Sequence, residues 1–561
     1  MIYLILLFTI LFFFFAWRRL DWAIMLLIVC LPAYLIRFKV LGLPLTLLEV
    51  MIWSVFIVWF IANLIQIKTN LHKLFKTEKD GTKIRYPYDW EIVLLLIITL
   101  AAAGVAGFSS SSLGIWKAYF FEPVLLFIVV INVMAGRLPS PPFARRVNIT
   151  PLAPLVGGAE LVLWPLAVSA IVVSVLAIYQ KFTGALIDNP VWAAEETRRV
   201  VSFFGYPNAV GLYLGPLVLV MAGWFFSIVE VYFCHSRESS PRAPLARALA
   251  TCHRSFRRSA GWNSEYHHWL FRRVSGLRPR LAGAMAKRVG GRNDNKIVAH
   301  NDKIKIIFIG LTIILSVLSI YFTKSKGALL GVVAGLVVFS LMADRKTRWA
   351  TAVLVIVVAA GAVAYQPARS LALRNITFTN LSGQIRQAGW SDAWRMLKDG
   401  RLLTGAGLAN YQAAVAPYHT EGIFIKDYND PGFQRKLVFN EAYREAHWQP
   451  LEIYLYPHNI MLNFWSELGL VGLLLFVWVI GKYFWMGLKL EIGNWKLGII
   501  NKFQILNFKF FNIGLICAMV VIIVHGIVDA PYFKNDLAVM FWLLVAMMSL
   551  MNLEKNYGKN I

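Results

Sequence analysis

Long apolar runs recur along the whole chain and constrain its fold more than any other feature of the sequence. Runs of roughly 18 or more apolar residues are long enough to cross the hydrocarbon core of a bilayer as α-helices. The first two runs are short, so twelve spans are as acceptable as thirteen. The sequence therefore predicts an all-α fold, a polytopic transmembrane helix bundle. We place the spans at 2–16, 21–36, 46–67, 91–108, 118–135, 160–182, 206–230, 304–322, 328–343, 350–366, 459–480, 510–529 and 537–552.

The composition agrees with a membrane protein and restricts its partners. The chain is 58% hydrophobic and only 15% charged, whereas about a quarter of the residues of a soluble protein are charged. The formal net charge of +26 would suit nucleic-acid binding in a soluble protein. In a membrane protein, Lys and Arg collect in cytoplasmic loops and lie against anionic headgroups. We therefore expect contacts with membrane lipids and no nucleic acid.

Cysteine usage and the first apolar run add two smaller expectations. The four cysteines show no CxxC or Cys/His metal spacing, so no disulfide framework and no metal site is predicted from them. The apolar run before Ala16 is followed by Arg18 and Arg19. Because a signal peptide carries its charges in front of the apolar region, we expect this run to be a retained anchor.

Basic residues concentrate in the connections on one side of the predicted bundle. They crowd the segments 68–90, 232–303, 344–349 and 482–509, which the positive-inside rule assigns to the cytoplasm. The opposite side then receives the long loop 367–457, in which acidic and basic residues nearly balance. We expect this loop to form an ordered extracytoplasmic cap.

These patterns divide the chain into five predicted regions. The basic segment 232–303 is rich in Arg pairs separated by Ser, Pro and Gly, a composition typical of a disordered segment that associates with anionic lipid. The five regions are an N-terminal transmembrane region at 1–231, a basic cytoplasmic insertion at 232–303, central transmembrane helices at 304–366, an extracytoplasmic loop at 367–458 and a C-terminal transmembrane region at 459–561.

The long loop contains a candidate amphipathic helix near its middle. Ile385, Trp390, Trp394 and Leu397 share helical spacing, and an amphipathic helix with two Trp residues suits a membrane interface. Arg386 lies four residues before Trp390 and so projects from the same face. Arg386 either reaches lipid headgroups or has a functional role, and the pattern leaves both open.

His458 follows a proline and precedes an apolar run, so we expect it at the outer end of a membrane helix. The positive end of a helix dipole favours a neutral imidazole there and attracts anions. A neutral histidine beside a bound diphosphate suits a general base. The alternative is an interfacial histidine that is hydrogen-bonded to the backbone.

Two short outer stretches carry cations on the side where cations are scarce. Lys324 and Lys326 lie in a tight turn between two spans, and Arg198 and Arg199 lie just before another span. Each pair fits binding of phosphate; a simple polar turn and contacts to lipid headgroups are the alternatives.

Several acidic residues fall inside or at the ends of predicted spans, where charge is costly and often functional. Among them, Glu467 lies nine residues after His458, near the start of the same apolar run. The others are Glu49, Glu91, Glu122 and Asp529, the last with His525 nearby.

The segment from Pro457 to Gly472, PHNIMLNFWSELGLVG, resembles the C-terminal signature of the O-antigen ligase and polymerase superfamily. The order of parts is also similar: a Ser-basic-Gly turn at Ser325, a long outer loop with an Arg and a Trp-Ala helix, and a Gly-x-Gly turn at Gly405. In ligases of this family, an Arg of the turn, an Arg of the loop and this His line one outer cavity. The matching positions are Lys326, Arg386 and His458, and Lys326 departs from the family's Arg.

The resemblance implies a glycosyltransferase of the cell membrane. The sequence shows no acidic cluster on the outer face of the kind that binds a divalent metal, so we expect cationic side chains to replace a metal, and no cofactor. Such an enzyme transfers a glycan from a polyprenyl diphosphate (undecaprenyl diphosphate in the family) to a hydroxyl of a glycolipid, glycan or protein acceptor, as in lipopolysaccharide synthesis. Lys326 and Arg386 would stabilise the diphosphate, and His458 would accept the proton. We expect Arg198, Arg199, Lys324, Trp390 and Glu467 to contribute to substrate binding. A polymerase of the same superfamily and a solute transporter are the alternatives.

Overall fold

The computed structural model describes residues 2–40, 43–74, 87–134, 157–238, 292–426, 430–496 and 502–557. Helices dominate these ranges, because every backbone polar group of a chain in hydrocarbon must be satisfied within the protein. The N-terminal part contains α1 (Ile2–Arg18), α2 (Leu20–Val29), α3 (Leu47–Leu74), α4 (Asp89–Val105), α5 (Ser110–Ile115), α6 (Glu122–Met134), α7 (Gly157–Thr183), α8 (Pro190–Ala193) and α9 (Pro207–Glu238).

The helices after the basic insertion continue this numbering. They are α10 (Arg292–Phe322), α11 (Lys326–Ala343), α12 (Arg345–Ala364), α13 (Gln366–Ile376), α14 (Leu381–Met396), α15 (Tyr411–Val415), α16 (Phe433–Phe439), α17 (Glu441–His447), α18 (Ile460–Lys496), α19 (Lys502–Gly526) and α20 (Asn535–Tyr557). A π-helical segment, Trp116–Phe121, joins α5 to α6. Short 3₁₀ turns lie at Leu31–Leu35 and Ala416–Tyr418.

The predicted polytopic helix bundle is confirmed. In the described ranges, ten helices are long and apolar enough to cross a membrane, and α1 and α2 are shorter apolar helices. The predicted span at 91–108 corresponds to the 17-residue α4. The predicted span at 21–36 is too long, because α2 ends at Val29 and is followed by a 3₁₀ turn and the hairpin of β1 (Arg37–Val40) and β2 (Leu43–Thr46).

Burial separates central helices from peripheral ones. The span Asn535–Asn552 of α20 is 94% buried and the span Pro207–Glu230 of α9 is 83% buried, whereas none of α12 is buried. The backbones of α9 and α19 approach closely where Gly223 faces Gly514, since a Cβ at Gly223 would lie 2.8 Å from the Cα of Gly514. The bundle therefore has a tightly packed centre, and α12 lies at its edge.

The turns that the charge pattern assigns to the outer side lie together at one end of the bundle. The side chain of Arg199 donates a hydrogen bond from Nε to the carbonyl of Thr323 (2.8 Å), and Asn459 donates from Nδ2 to the carbonyl of Ile527 (3.0 Å). At the other end, Lys509 donates to the carbonyl of Ala343. The orientation of these two ends relative to the cytoplasm stays a prediction.

The long loop folds into short elements that cover the first of these ends. It contains α13 to α17 and a small antiparallel pair, β3 (Gly422–Phe424) and β4 (Trp448–Pro450). Asn380 begins α14 because its side chain accepts a hydrogen bond from the backbone N–H of Gly383 at 2.8 Å. Two small sheets, β1–β2 and β3–β4, are thus the exceptions to an all-α fold in the described residues.

The predicted basic insertion overlaps two helices at its ends. Helix α9 runs to Glu238 and α10 begins at Arg292. The central part of the insertion, 239–291, lies outside the described residues.

Candidate functional site

A cleft of about 440 Å³ with several charged side chains in its lining opens among the long loop and the starts of α11 and α18. Lys326, Arg386 and His458 all line it, although they lie on three separate elements of the chain. A volume between about 300 and 1,000 Å³ is usual for a small-molecule site. The structure therefore brings together the three residues that the sequence assigned to catalysis.

His458 lies immediately before the N-cap of α18. Asn459 begins this helix, because its Oδ1 accepts a hydrogen bond from the backbone N–H of Leu462 at 3.0 Å. The imidazole is held between two aromatic rings, with centroids 4.9 Å from those of both Tyr454 and Tyr456. A quarter of the side chain is exposed, so the ring is fixed in place and open to the cleft.

Asp529, in the turn between α19 and α20, is the acidic partner of His458. Its Oδ1 lies 3.9 Å from Nδ1 of His458, an ion-pair distance longer than a hydrogen bond, and the carboxylate is 1% exposed. Burial acts to raise the pKa of Asp529, but the imidazoles of His458 and His525 lower it, and its pKa is about 2. Asp529 is therefore ionised at neutral pH and stabilises a positive charge on the imidazole.

Arg386 presents an incompletely paired guanidinium to the cleft. Its Nη1 donates a hydrogen bond to Oγ of Ser382 at 2.7 Å, whereas its buried Nε finds no partner among the described residues. Burial lowers the pKa of Arg386 from its ordinary value, against the opposing effects of Asp529 and Tyr454. Because arginine stays protonated in proteins, the cleft is lined by a cation, and a guanidinium suits an anion.

Lys326 supplies a second cation at the N-terminus of a membrane helix. Ser325 caps α11 by accepting from the N–H of Ala328, and Lys326 is the first helical residue. Its Nζ is exposed and lies 3.4 Å from Oδ1 of Asn375. The positive end of the helix dipole adds to the charge of Lys326. The next residue, Gly327, packs against the ring of His525. A side chain does not fit there, because a Cβ would lie 2.8 Å from Cδ2 of that ring.

Glu467 lies outside the cleft lining and holds the Gly-x-Gly turn against α18. Its buried Oε2 accepts a hydrogen bond from the backbone N–H of Ala409 at 2.7 Å. Helix α18 is interrupted at Gly469 (φ 73°), and a Cβ at this position would lie 2.0 Å from the carbonyl oxygen of Leu403. The Gly-x-Gly turn therefore packs against the segment from Pro457 to Gly472, and Glu467 stabilises this contact.

The remaining predicted binding residues do not line the cleft. Arg198 donates to the carbonyls of Lys181 and Ala193 (both 3.0 Å) and so secures the end of α7. Arg199 donates to Thr323 and, at 3.4 Å, to Oδ1 of Asn208. Asn208 in turn donates to Asp529 at 3.1 Å, so Arg199 supports the Asp529 side of the site.

Trp390 and Lys324 have different surroundings from those expected. Trp390 donates from Nε1 to the carbonyl of Pro457 at 2.7 Å, and its ring packs edge-on against Phe378. Lys324 is exposed and has a positive φ of 54° in the turn before α11. Neither side chain is part of the cleft lining.

Sequence reasoning missed a buried acidic residue in the cleft lining, Asp392. Asp392 is buried and accepts hydrogen bonds from Thr420 and from Arg395, while Nδ1 of His419 lies 3.5 Å away. Asp392 lies six residues after Arg386, on the same helix as the buried apolar residues Ala393 and Met396. A polar residue at a buried position of an amphipathic helix was the signal available for it.

The other acidic residues in or beside the spans are paired with basic or aromatic side chains. Glu49 accepts from Lys117 at 3.0 Å, and Glu91 accepts from Lys482 at 2.6 Å. Glu122 accepts from Nε1 of Trp53 at 2.8 Å. These contacts stabilise three carboxyl groups that would otherwise be buried without a partner. None of the three lines the cleft. Across the described ranges, no group of three or more His, Cys, Asp or Glu residues is arranged to hold a metal ion.

The bundle and the cleft at one of its ends define a multi-pass protein of the cell membrane with a candidate site among its loops. The family model described as O-antigen ligase matches residues 311–477, a range that includes Lys326, Arg386 and His458. This match supports assignment of the chain to the O-antigen ligase superfamily, in agreement with the resemblance of its motifs. Members of the family are glycosyltransferase-like membrane enzymes. No curated protein matches the chain.

Proposed function

We propose that this protein transfers a glycan from a polyprenyl diphosphate carrier to an acceptor hydroxyl on the extracytoplasmic side of the membrane. The observation that carries the proposal is the shared cleft of Lys326, Arg386 and His458. Two of these residues suit a diphosphate and the third suits a hydroxyl, so the cleft contains groups for both substrates. The proposal includes the orientation, with 367–457 outside and the basic insertion inside.

The donor side of the reaction needs positive charge where the leaving group develops negative charge. Arg386 lines the cleft with its guanidinium, and Lys326 adds its ammonium at the start of α11. Preorganised cations stabilise a leaving diphosphate more strongly in a partly dehydrated site than in water. Arg386 and Lys326 are therefore assigned to the diphosphate.

The acceptor side needs a base that removes one proton. In the proposed step, the acceptor oxygen attacks the anomeric carbon of the donor sugar while the bond from that carbon to the diphosphate oxygen breaks. The acceptor proton moves to the imidazole of His458, and the polyprenyl diphosphate leaves with the bonding electrons. Asp529 stabilises the resulting imidazolium across 3.9 Å.

The position of the cleft supports an enzyme over a transporter. A transporter binds its solute near the bilayer midplane, between broken or repeated helices. Here the cleft is lined by loop residues and by the starts of helices. Ligase and polymerase share the proposed chemistry and differ in the acceptor: a finished glycolipid or other glycan for a ligase, and a lipid-linked repeat unit for a polymerase.

The test uses the purified full chain in proteoliposomes with a lipid-linked oligosaccharide donor. One reaction receives a glycolipid acceptor and a second receives only further donor. Glycosylated acceptor with loss of donor supports the ligase, and lengthened donor-linked glycans support the polymerase. Solute uptake without any consumption of donor would refute a transferase. Cysteine labelling of 367–457 from the outside tests the orientation, and labelling from the cytoplasmic side alone would reverse it.

A further inference from the structure

His458 has an unusual backbone conformation for a residue with a side chain. Its φ is 47°, in the left-handed region that only a few per cent of non-glycine residues adopt, with His, Asn and Asp the most frequent among them. Such residues persist only where the surrounding structure holds them, and they cluster at functional sites.

Two side-chain hydrogen bonds secure the residues on either side of His458. Nε1 of Trp390 donates to the carbonyl oxygen of Pro457 at 2.7 Å, which fixes the peptide unit before the imidazole. Nδ2 of Asn459 donates to the carbonyl oxygen of Ile527 at 3.0 Å, which fixes the residue after it. His458 is thus held between the long loop and the turn that carries Asp529.

Both donors connect His458 to elements that carry its proposed partners. Trp390 lies four residues after Arg386 on α14, so one turn of helix carries the diphosphate-binding cation and the donor to Pro457. Asn459 bonds to Ile527, two residues before Asp529. The two bonds therefore set the position of the imidazole relative to Arg386 on one side and to Asp529 on the other.

We propose that Trp390 and Asn459 are positioning residues, which hold His458 in its left-handed conformation and align it with Arg386 and Asp529. This inference rests on the proposed role of His458 as the base. It assigns to Trp390 a role different from substrate binding. The ring of Trp390 is absent from the cleft lining and packs 5.2 Å from the ring of Phe378, nearly perpendicular to it.

Two conservative variants remove one donor each and keep the rest of the side chain's function. Trp390→Phe keeps an aromatic face and loses the N–H. Asn459→Ser keeps an oxygen that can cap α18 and loses the amide that reaches Ile527. The matched controls are Trp394→Phe, whose ring is partly exposed on the same helix, and Asn440→Ser, which alters a cap of α17 outside the cleft lining.

The kinetic readout separates positioning from substrate binding. We expect each test variant to reduce kcat roughly 10- to 100-fold, because a displacement of about 1 Å costs this much, and to leave KM for the donor within about twofold of the parent protein. Both controls should keep kcat within about twofold. A Trp390→Phe variant with raised KM and normal kcat would overturn the assignment, because it would show binding of substrate.

Hydrogen exchange tests the same inference without any activity. The backbone amides of 456–462 should exchange faster in Trp390→Phe and in Asn459→Ser than in the two controls. Unchanged exchange in both test variants would refute the positioning role. Faster exchange in a protein that transfers no glycan would instead leave the positioning role intact and count against the proposed function.

Discussion

Replacing Asp529 by Asn removes the charge opposite His458 with little change in volume. Asp529 lies 3.9 Å from the imidazole and is 1% exposed. Its pKa is lowered to about 2, so the carboxylate is charged at neutral pH. The substitution removes this charge, and it also replaces one of the two oxygens, which accept hydrogen bonds from Asn208 and from the backbone N–H of Ala530, by an amide NH₂.

The distance between Asp529 and His458 sets the expected loss of kcat. At 3.9 Å, a unit charge pair is worth about 4 kcal/mol for an effective dielectric constant of ~20, and about 2 kcal/mol if cleft water raises it to ~40. The lower value allows for the quarter of the His458 side chain that is exposed. Because each ~1.4 kcal/mol is a factor of ten in rate, we expect kcat of Asp529→Asn to fall roughly 30- to 1,000-fold.

The assay is donor consumption by the purified protein in proteoliposomes at matched protein amounts and neutral pH. Glu441→Gln is the control, since this carboxylate is 78% exposed and outside the cleft lining. A rate of Asp529→Asn within about twofold of the parent protein would refute the pairing of Asp529 with His458.

Four further predictions concern the cations, the base, the metal requirement and the docked motifs. His458→Ala should lower the transfer rate about 10²- to 10⁴-fold at normal abundance in membranes, and a near-normal rate would remove the proposed base. Lys326→Arg, which restores the fork of a guanidinium at constant charge, should keep or raise donor consumption, whereas Arg386→Ala should reduce it; a loss in Lys326→Arg as large as that in Arg386→Ala would contradict a role as a simple cation. Transfer should continue in EDTA, and activity that disappears and returns with Mg²⁺ or Mn²⁺ would contradict the metal-independent reaction. Gly469→Ala should destabilise the solubilised protein by roughly 2–5 kcal/mol, seen as a lower midpoint in thermal unfolding, while Gly481→Ala, which has open space around it, should not; equal midpoints would show that the docked turn tolerates a side chain.

The membrane class and most helix positions could be predicted because they depend on local composition. A run of apolar residues long enough to cross a bilayer must form a helix whatever surrounds it, and each predicted span overlaps a helix of the structure. The end of α2 was misplaced because the stretch after Val29 is as apolar as the helix before it. Hydropathy does not separate a helix from the turn and hairpin that follow.

The candidate site could be predicted only in part. Lys326, Arg386 and His458 were found through motifs that resemble a family, and the structure places all three in one cleft. The surroundings of the other five predicted residues depend on contacts between distant segments. Arg198 donates hydrogen bonds to backbone carbonyls, and Trp390 donates one to the carbonyl of Pro457. Glu467 accepts a hydrogen bond from the backbone N–H of Ala409.

By itself, the sequence determined the membrane class, most of the spans and the residues that belong to the motifs. Only the tertiary structure decided the partners of those residues, such as Asp529 with His458 across 3.9 Å. The physical reason is that hydrophobicity acts over each span separately, and a single segment contains all the information needed for it. A hydrogen bond or an ion pair depends on a few ångströms between groups that lie far apart in the sequence, and the packing of helices and loops sets that distance.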